Sequence, residues 1–226
     1  MLKEKLNSVF NAISYQKGQN HVLNHFTPQF SHNGDSTVCY GRLIEYSQRI
    51  TLGVAAEDAV RNSGGNILEI GCAEGSTTCT FAEIAKKYGV KVYCIDPYSG
   101  AQEGTESVYE EFKKVCSRYP DTIIHLRDSS LSEAAKQFIK DKHISFAFVD
   151  GLHTKDAAYS DVMLSLNSMK SGDVLCVDDT NNYTDRDAGA AMIQAVNESK
   201  ISKINIDESA EKIIFTHKSW HFATKQ

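Results

Sequence analysis

Residues 66–76 read Asn66-Ile67-Leu68-Glu69-Ile70-Gly71-Cys72-Ala73-Glu74-Gly75-Ser76: an apolar strand carrying one acid, then two glycines four apart that open a helical pattern. This is the signature of a turn that cradles a nucleotide-like ligand. Gly71 and Gly75 remove Cβ atoms where the backbone must turn and approach the ligand, and the helix behind them aims its first N–H groups there. A dinucleotide fingerprint would read G-x-G-x-x-G and seat a pyrophosphate on that helix. Here Ala73 replaces the middle glycine, and Glu69 stands two residues before the first. An acid at that place suits a positively charged ligand, such as an amino-acid ammonium, better than a pyrophosphate.

Outward from this turn, short apolar runs alternate with segments of helical period. Ile67–Ile70, Lys91–Ile95, Thr122–Leu126, Ser145–Val149 and Asp173–Val177 read as strands, with helices near 76–88, 106–118, 131–141 and 155–169. In the third helix Leu131, Ala134, Ala135, Phe138 and Ile139 follow the spacing of one buried face. Strands apolar on both faces with helices between them imply a doubly wound α/β domain around a mostly parallel, seven-stranded sheet. A helical stretch at 187–199 follows, then two short strands at 203–207 and 212–216 that the polar turn Glu208–Glu211 would join as an edge hairpin. Residues 65–226 thus form the expected α/β domain. Residues 1–64 read as a helical cap or lid: a helix carrying Leu2, Leu6, Val9, Phe10 and Ile13, a loop rich in His, Asn and Ser over His21–Gly41, and helical pattern from about 41 to 62.

Ligands of open α/β sheets bind outside the carboxyl ends of the strands, where the strand order reverses. The residues that end the strands here are acidic: Glu69, Asp96, Asp128, Asp150, and the pair Asp178 and Asp179. Asp96, at the end of the second strand, has the place of an acid that takes ribose hydroxyls.

Composition narrows the partners. The 226 residues with 41% hydrophobic content suffice for one substantial core, and 24 basic against 29 acidic residues leave a net charge of −5. That balance offers no footprint for nucleic acid or an anionic membrane. The six cysteines (39, 72, 79, 94, 116 and 176) include no C-x-x-C pair, and four fall within expected strands or helices, as small buried thiols would. No apolar run approaches the ~18 residues of a membrane span, and the N-terminus mixes Lys3, Glu4 and Lys5 into an amphipathic pattern rather than a signal peptide. A cytoplasmic protein is expected. Its amphipathic first helix leaves a homo-oligomer open.

Taken in order, Glu69-x-Gly71-x-x-x-Gly75, Ile95-Asp96-Pro97-Tyr98, Arg127-Asp128-Ser129, Val149-Asp150-Gly151-x-His153 and Val177-Asp178-Asp179 resemble the class I S-adenosylmethionine-dependent methyltransferases over roughly residues 60–216. The resemblance implies S-adenosylmethionine as cofactor. Its methionine part would sit on the turn from Glu69 to Ser76, through Gly71, Ala73 and Gly75. Its ribose would meet Asp96, its adenine face Tyr98 and its adenine edge Asp128 and Ser129, with Asp150 beside it. The last two motifs resemble the divalent-metal-dependent O-methyltransferases, both the catechol type and the type acting on sugars of natural products. Asp150, Asp178 and Asp179 would then ligate Mg²⁺ or Mn²⁺, and His153 would be the general base. The catechol type has lysine at the position of His153 and asparagine at that of Asp179, so this chain is closer to the sugar-modifying branch.

Plainer roles stand beside these. Asp178 and Asp179 could end a strand and cap the next helix, and neighbouring strand residues point to opposite faces, so both reach one ion only if the chain turns at Thr180. His153 could be structural. His21 and His25, four apart, have no third ligand in the sequence and could line a lid or lie on the surface. His217, Trp220 and His221 suit edge packing or an interface, and Cys72 is a small residue in a tight turn. The acceptor pocket falls to residues 15–50 and the loop Asn181–Arg186. A nucleotide-dependent oxidoreductase on the same fold and a non-catalytic cofactor-binding protein are the alternatives to an enzyme that methylates a small-molecule hydroxyl.

Overall fold

Five strands, β1 (Asn66–Ile70), β2 (Val92–Ile95), β3 (Ile123–Leu126), β4 (Ile144–Val149) and β5 (Val174–Val177), run parallel in a computed structural model that describes residues 46–99, 105–180, 188–198, 200–203 and 221–225. Each ends at the residue where the sequence places it. With β6 (Ile201–Lys203) and β7 (His221–Lys225) they make one seven-stranded sheet in the order β3-β2-β1-β4-β5-β7-β6. The antiparallel β7 is inserted between β5 and β6.

The pleat divides the strand residues between two cores. Ile67, Val92, Cys94, Phe146 and Phe148 face α1 (Tyr46–Ser63), α2 (Ser76–Tyr88) and α3 (Thr105–Arg118), meeting Leu52, Phe81 and Phe112. Leu68, Ile70, Ile95, Ala147 and Val149 face α4 (Glu133–Ile139), α5 (Lys155–Asn167) and α6 (Ala188–Asn197), meeting Ile139, Val162 and Met192. Both faces are covered, as the continuous apolar runs require.

Several expectations are modified. Helix α1 falls inside the segment 1–64 read as a cap, yet its Leu52, Ala56, Ala59 and Val60 belong to the core shared with β1 and β4. The rest of that segment, including the expected first helix and His21 and His25, lies outside the described residues. Helix α4 begins later than expected because the Ser132 side chain accepts the Ala135 N–H (3.0 Å) and so caps it. Leu131 and Ala134 therefore face outward, Leu131 at 54% exposure, and the buried stripe narrows to Ala135, Phe138 and Ile139. A strand at Ile201–Lys203 meets the one expected at 203–207 at Lys203 and pairs antiparallel with His221–Lys225, and residues 204–207 lie outside the described residues. Residues 212–216 and the loop 181–186 are outside the described residues.

At the amino end of the sheet, buried Asp173 gathers three segments. Its carboxylate accepts from Ser63 at the end of α1 (2.5 Å) and from the Lys170 N–H (2.6 Å), and lies 2.9 Å from His143 Nε2 just before β4. Lys225 at the end of β7 donates to the carbonyls of Leu166 and Met169 (2.8 and 2.6 Å), satisfying the end of α5.

Candidate active site

The strand order reverses between β1 and β4, and there the loops that follow these two strands touch. Gly71 has φ +85°, and a Cβ on it would stand 2.1 Å from the Asp150 carbonyl oxygen. Only glycine permits that approach. Gly75, at φ +84°, precedes α2, and a Cβ there would press on Phe112 and Val115 of α3 at 3.1 Å. Contacts within the chain thus already require both glycines, Gly71 through the Asp150 backbone and Gly75 through α3.

Asp96 holds the turn between them. Its Oδ2 accepts the N–H groups of Cys72 (2.9 Å) and Ala73 (3.1 Å), and its Oδ1 that of Tyr98 (2.9 Å). The residue expected to bind ribose is therefore also the clamp that shapes the glycine turn. Ala73, at φ +43°, is held from a second side, since the Tyr98 hydroxyl donates to its carbonyl (3.1 Å). Tyr98 was expected to offer a face to adenine. It is instead 6% exposed, with its ring against Tyr109 (4.8 Å) and Phe112 (5.6 Å), and it braces the turn from beneath. Burial raises its hydroxyl pKa far above the usual value, so it remains a donor.

Glu69 shares the pleat face of Ile67, so its side chain points under α2 rather than into the cleft, and it is 1% exposed. Thr78 Oγ1 donates to it at 2.5 Å, and Cys94, its register partner on β2, lies at 3.8 Å. Burial, aided by the Asp96 carboxylate and opposed by the Thr78 bond, pushes Glu69 from 4.5 up to about 8. The carboxyl is mostly protonated at neutral pH. With Cys72 and Cys94 it forms a buried trio whose ligating atoms lie within 4.8 Å of one another. Cys72, Cys79, Cys94, Cys116 and Cys176 are free thiols, and burial raises the pKa values of Cys72 and Cys94.

Ser76 opens α2, with Thr77 and Thr78 completing the first-turn amides that such a helix end presents. Asp128 and Ser129, half-buried beyond β3, order their own loop. The Ser129 N–H donates to Asp128 (2.7 Å) and the Leu131 N–H to Ser129 Oγ (3.2 Å).

The third group lies beyond β4 and β5. His153 Nε2 is 3.6 Å from Asp150 Oδ1 and 3.5 Å from Asp179 Oδ2, with all three side chains about one-fifth exposed or less. The chain turns at Asp179 itself, which adopts φ +50°. Asp178 is buried at 1% exposure. As a donor set, three carboxylates suit a hard dication. Their spacing is wider than a bound ion enforces: the imidazole stands between Asp150 and Asp179, and these residues are not among those whose ligating atoms all lie within 4.8 Å.

A model of a methyltransferase domain matches residues 68–180, half of the chain. The chain belongs to the methyltransferase family. The class I resemblance drawn from the five motifs is thereby borne out at the level of the family and the fold, and an oxidoreductase loses its support. None of the curated proteins matches the sequence significantly. Among solved structures, this methyltransferase is similar to apo CalS11, a TDP-rhamnose 3'-O-methyltransferase of calicheamicin biosynthesis, with a TM-score of 0.61 and 13% identity over 94% of this chain and 93% of that one. It is similar also to cofactor-bound Rv0187 from MTB (TM-score 0.60, 15% identity, 95% and 88% covered). A third is the O-methyltransferase from Bacillus cereus in complex with SAH (TM-score 0.59, 16% identity, 92% and 96% covered). Identities this low speak to the fold. Among the described residues, no helix is long and apolar enough to cross a membrane.

Proposed function

We propose that the protein is an S-adenosylmethionine-dependent O-methyltransferase, assisted by Mg²⁺ or Mn²⁺, that acts on a hydroxyl of a small molecule such as a sugar or polyol of a natural product. The observation that carries the reading is His153 held between Asp150 and Asp179 at the strand ends, beside the turn that Asp96 and Tyr98 hold. The TDP-rhamnose acceptor of CalS11 supports the acceptor class.

When bound, S-adenosylmethionine supplies a methyl group on a sulfonium, and the dication lowers the effective pKa of a hydroxyl it holds. The chain's own residues do the remaining work. The braced turn and the acids Asp96, Asp128 and Asp150 along the strand ends seat and orient a cationic nucleoside, and orientation is the larger part of the acceleration in a displacement of this kind. His153 Nε2 takes the acceptor proton as the new C–O bond forms and the C–S bond breaks. Asp150 and Asp179, on either side, stabilise the imidazolium that results. Asp150, Asp178 and Asp179 are the residues that would hold the dication.

The test is transfer of radiolabelled methyl from S-adenosylmethionine to a panel of nucleotide sugars, polyols and catechols, with Mg²⁺ or with chelator. Turnover is expected with Mg²⁺ and lost with chelator, while S-adenosylhomocysteine affinity is unchanged. His153→Ala is expected to lower kcat by ~10²–10⁴ at unaltered cofactor affinity. Full turnover in chelator refutes the dication, and failure to bind either nucleoside refutes the whole reading.

A further inference from the structure

Arg127 stands immediately before Asp128 and Ser129, and neither the motif reading nor the mechanism gives it a role. It directly follows β3, where Ile123 lies in the core beneath α3 and the His125 ring is 5.6 Å from Phe112 of that helix. Side chains alternate along a strand, so Arg127 continues the face of Ile123 and His125. Its guanidinium meets two residues of α3 there. Nη1 and Nη2 donate to the two carboxylate oxygens of Glu106 at 3.3 and 2.5 Å, and the guanidinium carbon is 4.2 Å from the centre of the Tyr109 ring. Three positions apart on α3, Glu106 and Tyr109 share one face of the helix.

The contacts continue toward the glycine turn. The Tyr109 ring centre lies 4.8 Å from that of Tyr98, and the Tyr98 hydroxyl donates to the Ala73 carbonyl at 3.1 Å. They run without a break from Ala73 through Tyr98 and Tyr109 to Arg127, whose next residue is Asp128. An ion pair on the surface stabilises a fold little, because solvent screens it and two long side chains must be ordered. Arg127 and Glu106 are both exposed, so stability gives scant reason for the pair. A planar guanidinium forked on a carboxylate and laid on a ring is nevertheless held in one orientation, which a point charge in its place would not be. What it fixes is the start of the Asp128–Ser129 segment against α3.

We infer that Arg127 is a positioning residue: its stack on Tyr109 couples the turn at Ala73 to the Asp128–Ser129 segment, so that cofactor affinity depends on a side chain acting through other residues. The inference rests on the proposal that the turn and the segment seat the two ends of S-adenosylmethionine. Seats that are already spaced in the free chain lose less freedom on binding, and the saving appears as affinity.

The test is calorimetric titration of the full chain with S-adenosylhomocysteine, together with urea unfolding, for Arg127→Ala, Arg127→Lys, Glu106→Ala, Tyr109→Phe, Tyr109→Leu and the double variant E106A/R127A. Arg127→Ala is expected to weaken binding about fivefold, the upper end for an exposed cation–aromatic contact, at an unchanged unfolding midpoint. Arg127→Lys keeps the charge but neither the fork nor the planar stack, and should stay closer to Arg127→Ala than to the parent. Glu106→Ala should weaken binding in the same direction, and the double variant should bind no worse than Arg127→Ala alone, as expected for one shared contact. Tyr109→Phe keeps the ring and should lose less affinity than Tyr109→Leu. Binding by Arg127→Ala equal to the parent overturns the inference. So does an affinity loss that tracks a loss of stability across the variants, or Glu106→Ala binding like the parent while Arg127→Ala does not, which would mean that Arg127 touches the cofactor itself. If the parent does not bind, the cofactor reading falls and the inference with it, an outcome recognisable because it precedes any substitution.

Discussion

Replacing Glu69 by glutamine should reverse the sign of its contribution to stability at alkaline pH. A carboxyl whose pKa is higher folded than unfolded holds a proton in the native chain that the unfolded chain has released. Its contribution is therefore fully present below about pH 4.5 and declines as pH rises toward the folded value of about 8. At about 1.4 kcal/mol per pH unit, the whole shift amounts to roughly 5 kcal/mol, and the part from pH 6 to 8, where the slope falls by half at the folded pKa, to roughly 2 kcal/mol. Glutamine is neutral throughout and keeps an oxygen to accept the 2.5 Å bond from Thr78. The variant should therefore gain on the parent by roughly 2 kcal/mol between pH 6 and pH 8, because the remaining titrating groups are common to both proteins and cancel. Urea unfolding of both at half-unit pH intervals measures this directly. A constant difference across the window would refute the argument, since it would mean that Glu69 is already ionised in the native protein at pH 6.

Two further substitutions separate backbone from side-chain demands. Gly71→Ala sets a Cβ 2.1 Å from the Asp150 carbonyl oxygen at positive φ, so it should cost more than about 3 kcal/mol, whereas Gly75→Ala meets only side chains at 3.1 Å and should cost about 1–2 kcal/mol. Thermal melts that rank the two in the opposite order would refute the contact at the switch point. Asp173→Ala removes the shared partner of Ser63, His143 and the Lys170 amide, and should cost about 3 kcal/mol while leaving S-adenosylhomocysteine affinity unchanged, since it lies at the other end of the strands. A calorimetric loss of affinity would contradict that separation.

The carboxyl ends of all five parallel strands were legible because each apolar run stops at a glycine or a charged residue: Gly71, Asp96, Arg127, Asp150 and Asp178. Asp128, Asp150 and Asp179 follow from that pattern, as does the neighbourhood of His153. Helix α4 was overdrawn because Leu131 and Ala134 fit its period, while the Ser132 cap decides where it begins. The strand at His221–Lys225 was not foreseen. His221–Lys225 carries a weak apolar signal, and its place comes from pairing with β5 and β6 rather than from its own composition. Tyr98 read as an aromatic face beside an acid; that its ring would be covered by Tyr109 and Phe112 depends on how α3 crosses the sheet end.

The amino-acid order by itself determined the layering, the parallel sheet and the row of acids at one edge, because periodicity and strand-ending residues act over a few positions. Only the folded chain decided that Gly71 is spaced for Asp150 and that Glu69 turns beneath α2 and keeps its proton. Each of these is a meeting between residues that stand 9 or more positions apart. Such a meeting depends on which strand lies beside which, and no local pattern encodes that.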